Sequence, residues 1–490
     1  MHFFCYKLLS FVKNLRLIRI LQTLSPAEMR KFKKYVCSPV HNQHKDTIRL
    51  FELLHQYYPD FESEELDRHA VFSSLFPNRP YDDQKLRSLR KYLFDLLIDF
   101  ITDLEIEQYP LVRQSYKLKA LHYRHLEKEF IQYLKKERKQ LEAYPYRNAD
   151  YFLAKYFLED EVLVYQMSKS RWAMDQPQSV IQALNHFYLS EKLRYCVSMM
   201  NIQQIFKVEK EIPMYEEVVQ YCRNHLASLP PIIQAYYHLL SLNQEEDAHQ
   251  HFVVLKQLGQ TQFTSFPSDD WINIYYSMIN YCHHRYLAGD IGFLSEMLDL
   301  YAVMLERKLL LEDGFLSTHN YKNITTLGLR LGKYEWTESF IETYKDYIQP
   351  QFRQGIYSYN LAHLYFYQQK YRQALRLLNQ IDFIDTFYRI SYNILQLKIY
   401  YECNEAEALL SLCESFRTFI RRKKELTASV KKSYTNFAKY VRALFMVKIG
   451  IDKRADKLKD KIENCDALTE RQWVLQKLAD LSHKAEKAVS

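Results

Sequence analysis

Read for the spacing of its apolar positions, the chain is helix almost from end to end. Phe4, Leu8, Phe11, Leu15 and Ile18 recur at helical spacing with Lys7, Lys13, Arg16 and Arg19 between them, which predicts a basic amphipathic helix over residues 1–22. Further on, the punctuation sharpens. Ser25 with Glu28 three residues later forms a capping box, and Pro26 falls at the first helical position. That helix should run to Cys37 and stop at Ser38-Pro39. A second is predicted over about 46–58, a third from Asp67 to Phe76-Pro77, and a fourth over 82–107 with Leu86, Leu89, Leu93, Leu96, Leu97, Phe100 and Leu104 as a wide apolar stripe. Residues 23–110 therefore read as a small four-helix domain, and 111–490 as further helices with short breaks.

Within that second stretch the pattern repeats. In the segment 356–383, Leu361, Ala362 and Tyr365 lie on one helix, and Tyr371, Ala374, Leu378 and Ile381 continue into the next. Ile324, Gly332, Tyr334, Ile341 and Pro350 keep part of the pattern 37 residues earlier, and Leu395, Ile399, Ala408 and Leu412 keep it 34 residues later. A weaker copy is Ala235, Leu239, Ala248 and Phe252, so the repeat is clearest over 318–416. This pattern resembles the tetratricopeptide consensus, in which small residues let paired helices approach and large ones fill the gap. The opening LSPAEMRKFKKYVCSP, the block FPNRPYDDQKLRSLRKYL and the closing ERQWVLQKLADL also resemble a set of bacterial helical-repeat proteins of no assigned activity.

The resemblance implies an all-α fold: a right-handed α-solenoid of antiparallel helix pairs behind a small N-terminal helical domain, with Ala374 and Ala408 buried at helix crossings. It also implies which first-helix positions line a concave face. These are His319, Lys322, Thr326, Leu329 and Arg330 in one repeat, then Ile356, Tyr359, His363, Phe366 and Tyr367, then Ile390, Asn393, Leu397, Tyr400 and Tyr401. With 41 Tyr and 29 Phe in the chain, such a groove would have aromatic walls, partly exposed and suited to an extended or helical peptide, because Tyr offers large contact area at low entropic cost.

Composition narrows the chemistry. Only 8 Gly and 13 Pro occur in 490 residues, so hairpins and glycine-lined phosphate loops are not expected. The sequence holds no G-x-x-x-x-G-K-[ST], G-x-G-x-x-G, G-x-S-x-G or H-E-x-x-H, and the expectation is a non-enzymatic protein without a cofactor. Eight scattered cysteines without a C-x-x-C pair read as reduced thiols of a cytoplasmic protein. Pairs such as His41/His44, His122/His125, His249/His251 and His283/His284 fall short of the four close-set ligands a structural zinc needs. No apolar run approaches the ~18 residues that span a bilayer.

Charge is unevenly placed. The net +8 divides into +8 over residues 1–50, −10 over 51–416, +11 over 417–461 and −1 over 462–490. Arg421, Arg422, Lys423, Lys424, Lys431, Lys432, Lys439 and Arg442 are thus a candidate patch for an anionic partner, with nucleic-acid phosphate the natural one. Helices 68–76 and 82–107, carrying Lys85, Arg87, Arg90 and Lys91, loosely resemble the winged-helix head of regulators that couple DNA binding to a repeat-built sensor. From Tyr92 onward, however, that helix is apolar on most of its surface, whereas a recognition helix keeps a polar face for the major groove. Residues 1–22 would either touch a membrane surface or pack on the next domain. The reading that fits most of these features is an adaptor that binds a protein segment, with regulator and nucleic-acid binder as the alternatives.

Overall fold

A computed structural model describes residues 16–63, 66–108, 110–169, 177–206, 210–242, 248–379, 381, 386–451 and 455–489. It is all-helical, with 23 α-helices among the described residues. The chain divides into two compact units at Lys192/Leu193.

The first unit opens with α1 (Arg16–Leu21), α2 (Pro26–Cys37), α3 (Lys45–His55), α4 (Arg68–Leu75) and α5 (Asp83–Gln108). The capping box that starts α2 is formed in both directions. Ser25 Oγ accepts from the Glu28 amide at 3.3 Å, and the Glu28 carboxylate accepts from the Ser25 amide at 2.7 Å, so two orphan donors of the first turn are satisfied. Phe32 of α2 is fully buried between Phe51 of α3, edge-on at 5.2 Å, and Phe100 of α5 at 5.1 Å. Burying such a ring contributes roughly 2–3 kcal/mol. Leu86, Leu89, Leu93, Leu97 and Phe100 face this same core.

Leu17, Ile18 and Leu21 of α1 also belong to that core. The described part of the expected amphipathic helix thus packs on its own domain. Phe4, Leu8, Phe11 and Leu15 lie outside the described residues. A separate cluster of Leu118, Phe130, Leu141, Ala154 and Leu158 joins α6 (Pro110–Tyr123), α7 (Glu127–Glu142) and α8 (Ala149–Lys169). The unit boundary falls inside α9 (Pro177–Phe206).

The second unit continues through α10 (Tyr215–His225), α11 (Pro231–Ser241), α12 (Ala248–Thr261), α13 (Ser268–Leu287), α14 (Phe293–Glu306), α15 (Thr318–Arg330), α16 (Tyr334–Tyr344), α17 (Pro350–Tyr367) and α18 (Tyr371–Leu378). It ends with α19 (Thr386–Cys403), α20 (Ala406–Arg422), α21 (Ala428–Lys448), α22 (Ala455–Glu463) and α23 (Arg471–Val489). Neighbours in sequence pack on one another, and α15, α17, α19 and α21 also pack each on the next of that series.

One turn recurs down this stack. After α13, α15, α17, α19 and α21 a residue takes the left-handed conformation, namely Gly289, Gly332, Gln369, Asn404 and Gly450. In each case the following amide reaches back to a carbonyl in the last turn, from Asp290 to Arg285, Lys333 to Gly328, Lys370 to Tyr365, Glu405 to Tyr400 and Ile451 to Met446, at 2.8–3.1 Å. This is the Schellman closure that satisfies orphan carbonyls.

Small residues sit where the repeat needs them, with one exception. Ala362 and Ala374 are fully buried, and Gly328 of α15 lies against Trp336 and Thr337 of α16. Ala408, expected in the core, is only half-buried, and its neighbour Leu409 faces inward instead. The scarcity of glycine also misled about hairpins. Leu311–Glu312 and Phe315–Leu316 pair antiparallel around Asp313-Gly314, both with positive φ (49° and 82°), the dipeptide that a two-residue hairpin turn favours. Among the described residues no helix is long and apolar enough to cross a membrane.

Candidate functional site

The second unit holds a half-open cavity of about 390 Å³, within the ~300–1,000 Å³ typical of ligand pockets. Its walls come from α13 (Ile279, Asn280, His283, Tyr286), α14 (Leu294, Met297, Tyr301), α15 (Lys322, Asn323, Thr326, Leu327, Arg330), α17 (Tyr359, His363) and α19 (Ser391, Ile394, Leu395, Lys398). The remaining wall is Glu470, the residue before α23. Lys322, Thr326 and Arg330 stand four residues apart, which stacks them along one face of α15.

Helical spacing thus delivers part of the expected surface. Of the positions expected on a concave face, Lys322, Thr326, Arg330, Tyr359 and His363 line the cavity. On α19 the register slips by about one residue. Ser391, Ile394, Leu395 and Lys398 face the cavity, whereas Ile390, Leu397 and Tyr401 join the core formed with α20, α21 and α23.

The exposure expected of the aromatic groove is found only in part, His363 being half-buried. Tyr359, Phe366, Asn393, Leu397 and Tyr401 are buried, Tyr367 and Tyr400 are half-buried, and Leu329, Ile356 and Ile390 are core residues. Tyr401 lies between Trp473 at 5.3 Å and Phe445 at 6.0 Å. The physical reason is that α21–α23, which fall outside the clear repeats, cover the side of α19 that the repeat alone would leave open. His319 is exposed but does not line the cavity.

Three cations and one carboxylate share the site. Lys398 Nζ contacts Glu470 Oε2 at 2.5 Å with only 5% of the lysine side chain exposed, and Arg330 approaches Oε1 at 3.6 Å. Lys322 Nζ donates to Ser391 Oγ at 3.2 Å and lies over the Tyr388 ring at 5.2 Å. Burial alone would raise the Glu470 pKa, but Lys398 and Arg330 hold it down at about 2. Burial pushes Lys398 down, with Glu470 opposing. Burial also brings His363 to about 3, helped by Lys398, and lowers His283 as well. Both imidazoles are therefore neutral near pH 7. His363 Nδ1 is buried with no hydrogen-bond partner. Ile279, Leu294, Met297, Leu327 and Ile394 supply the apolar part of the lining.

Lys398 and Glu470 were not singled out in the sequence. Lys398 sits in a run of buried residues from Asn393 to Ile399, and its partner comes from a distant helix start. The only local hint was an ionisable residue inside an apolar stretch, which is retained when it is paired.

The basic segment resolves into separate places. Arg421, Arg422 and Lys424 are exposed where α20 turns toward α21, and Lys432 is exposed on the first turns of α21. Lys423 donates to Thr386 Oγ1 at 2.9 Å, Lys431 donates to the Arg421 carbonyl at 3.4 Å, and Arg442 pairs with Glu414 at 2.7 Å. Lys439 lies over the Tyr440 ring. On α5, Arg87 pairs with Asp83 at 2.5 Å, Lys85 lies over Phe76 at 3.8 Å, Arg90 is half-buried and Lys91 is exposed.

Cys282 and Cys413 are pushed up to about 12 and Cys222 to about 11 by burial, so none of the three is a thiolate at neutral pH. Among the described residues no group of three or more His, Cys, Asp or Glu is placed to hold a metal ion. The chain matches no family model, no curated protein and no solved structure.

Proposed function

We propose that the chain is a non-enzymatic adaptor that holds a segment of a partner protein, and that the cavity walled by α13, α15, α17 and α19 is its recognition centre. In this reading α13–α20 are antiparallel pairs of a right-handed, tetratricopeptide-like solenoid in a cytoplasmic protein. The recurring turn after each first helix and the buried Ala362 and Ala374 support that reading. The observation that carries the function is the cavity itself. Successive first helices contribute charged, polar and apolar groups to one half-open space, the arrangement by which a pocket fixes the orientation of what enters it.

The test is a photo-crosslinking residue at Asn323, which lines the cavity and is exposed, against a control at the exposed Glu338 of α16. A discrete adduct from position 323, absent from 338 and abolished when Thr326→Trp fills the cavity, is expected. Equal adducts from both positions, or indifference to the filled cavity, would sink the proposal. A second reading rests on Arg421, Arg422, Lys424 and Lys432, exposed around one turn, which suits nucleic-acid phosphates. Neutralising these four should then flatten a salt-dependent affinity for single-stranded or duplex probes. No such affinity in the unaltered chain would remove that reading.

A further inference from the structure

We propose that the cavity receives a compact oxyanion, a carboxylate or a phosphate, and that Glu470 holds the place of that group in the unliganded chain. The inference builds on the cavity as recognition centre and names the chemistry it selects.

The argument starts from charge. In the cavity lining Arg330 and Lys398 share the single carboxylate of Glu470, with Lys322 beside them, and His283 and His363 are neutral, so two cations stand against one anion. Taking a cation out of water is unfavourable unless an anion compensates it. Glu470 compensates Lys398 closely at 2.5 Å but reaches Arg330 only at 3.6 Å, longer than a charge-assisted hydrogen bond. Arg330, which also bonds Tyr367, has further guanidinium donors for a second oxyanion, and Lys322 stands on the same helix face eight residues before it.

The way Glu470 is held points in the same direction. Its backbone is left-handed, with φ at 55°, a conformation that non-glycine residues adopt at a cost when their surroundings demand it. Its carbonyl accepts from the Val474 amide at 3.1 Å, so the residue both opens α23 and reaches into the cavity. An incoming oxyanion can take over Lys398 and Arg330 and release the Glu470 side chain, which is already a quarter exposed, to water. The apolar part of the lining then accommodates whatever carbon skeleton bears the anion. Three residues past Glu470, Trp473 has its ring 5.5 Å from Lys398 Nζ and so reports on the exchange.

The experiment uses the full-length chain at low ionic strength, titrated with inorganic phosphate and, separately, succinate. Trp473 emission and calorimetry follow binding, with Trp473→Phe as the blank and sodium chloride at equal ionic strength as the screening control. Saturable binding of at least one oxyanion is expected, weakened roughly tenfold or more by Arg330→Gln and by Lys322→Gln. Glu470→Gln should bind the same anion roughly tenfold tighter. If that variant is too unstable to titrate, the same oxyanion should raise its unfolding midpoint more than it raises that of the unaltered chain. Binding of phosphate alone assigns the site to phosphoryl groups, and binding of succinate alone assigns it to carboxylates. Unsaturable responses equal to those of chloride, or affinities indifferent to Arg330 and Lys322, overturn the oxyanion proposal. They leave the cross-linking result from Asn323 standing, so failure here and failure of the adaptor reading are separate outcomes.

Discussion

Gly328 offers the sharpest test of how the helix pairs are built. At an open position inside a helix, replacing glycine by alanine stabilises by about 1 kcal/mol, because alanine has less backbone freedom to lose. At Gly328 an added Cβ would run into Thr337 Oγ1 and come within 3.3 Å of two carbons of the Trp336 ring. The nearer neighbour has little room to yield. Thr337 is fully buried and its hydroxyl donates to the Lys333 carbonyl at 2.8 Å, while its β-branched side chain has few rotamers inside a helix. Trp336 is stacked on Phe340 with ring centroids 5.7 Å apart and planes within 8° of parallel.

Overpacking of this kind costs roughly 1–3 kcal/mol, which meets or exceeds the helix-propensity gain. Gly328→Ala should therefore leave the second unit unchanged or destabilise it by up to about 2 kcal/mol, rather than stabilise it by about 1. A double-mutant cycle with Thr337→Ala isolates the cause, since removing Oγ1 removes the closest contact. Measured by urea denaturation with far-ultraviolet circular dichroism, Gly328→Ala should become stabilising in the Thr337→Ala background. The coupling energy should then be about 1–3 kcal/mol. A gain of about 1 kcal/mol in both backgrounds, with no coupling, would refute the close approach of α15 and α16 at this residue.

Other expectations follow from burial and charge. Tyr401→Ala should lower the stability of the second unit by about 3–5 kcal/mol, as truncating a buried aromatic does, because its ring fills the space between Trp473 and Phe445; an unchanged urea midpoint would return Tyr401 to the surface. Acid should destabilise the second unit in two overlapping windows. Glu470 has a folded pKa of about 2 against an ordinary 4.5, so its contribution is fully present above about pH 4.5 and is lost as pH falls toward 2. His363 has a folded pKa of about 3 against 6.5; the unfolded chain takes up that proton first, so stability also falls as pH drops from 6.5 toward 3. Each pKa unit is worth about 1.4 kcal/mol at most, and His363→Phe should shrink the upper window, leaving the smaller part that His283 contributes. A stability profile flat from pH 6.5 to 4.5 in the unaltered chain would contradict this assignment.

How much of this was readable in the sequence depends on the distance over which each cause acts. The start of α2 was legible because a capping box is a four-residue event: Ser25 and Glu28 satisfy each other whatever the rest of the chain does. The ends of the first helices were legible only in part. Gly332 advertises a left-handed closure, but Gln369 and Asn404 adopt the same turn without glycine, and of the two only Asn has a local tolerance for that conformation. The hairpin at Asp313-Gly314 was overlooked because a low glycine total was allowed to outweigh one specific dipeptide.

The site divides along the same line. A register read from sequence holds best where each helix has the same neighbours as its predecessor, and on α15 and α17 Lys322, Thr326, Arg330, Tyr359 and His363 do share the cavity wall. On α19 the condition fails. Its outer side is claimed by Phe437, Phe445, Val474 and Leu478 from α21 and α23, and these draw Leu397 and Tyr401 into their own core while leaving Lys398 toward the cavity. A lysine in that position is tolerable only because Glu470 arrives from the start of α23 to pair with it. No periodicity can announce a partner so far along the chain, since the only constraint linking the two residues is electrostatic and is imposed after the helices have packed. The most informative residues of the cavity are thus those where the repeat ends and the chain's last helix closes over it.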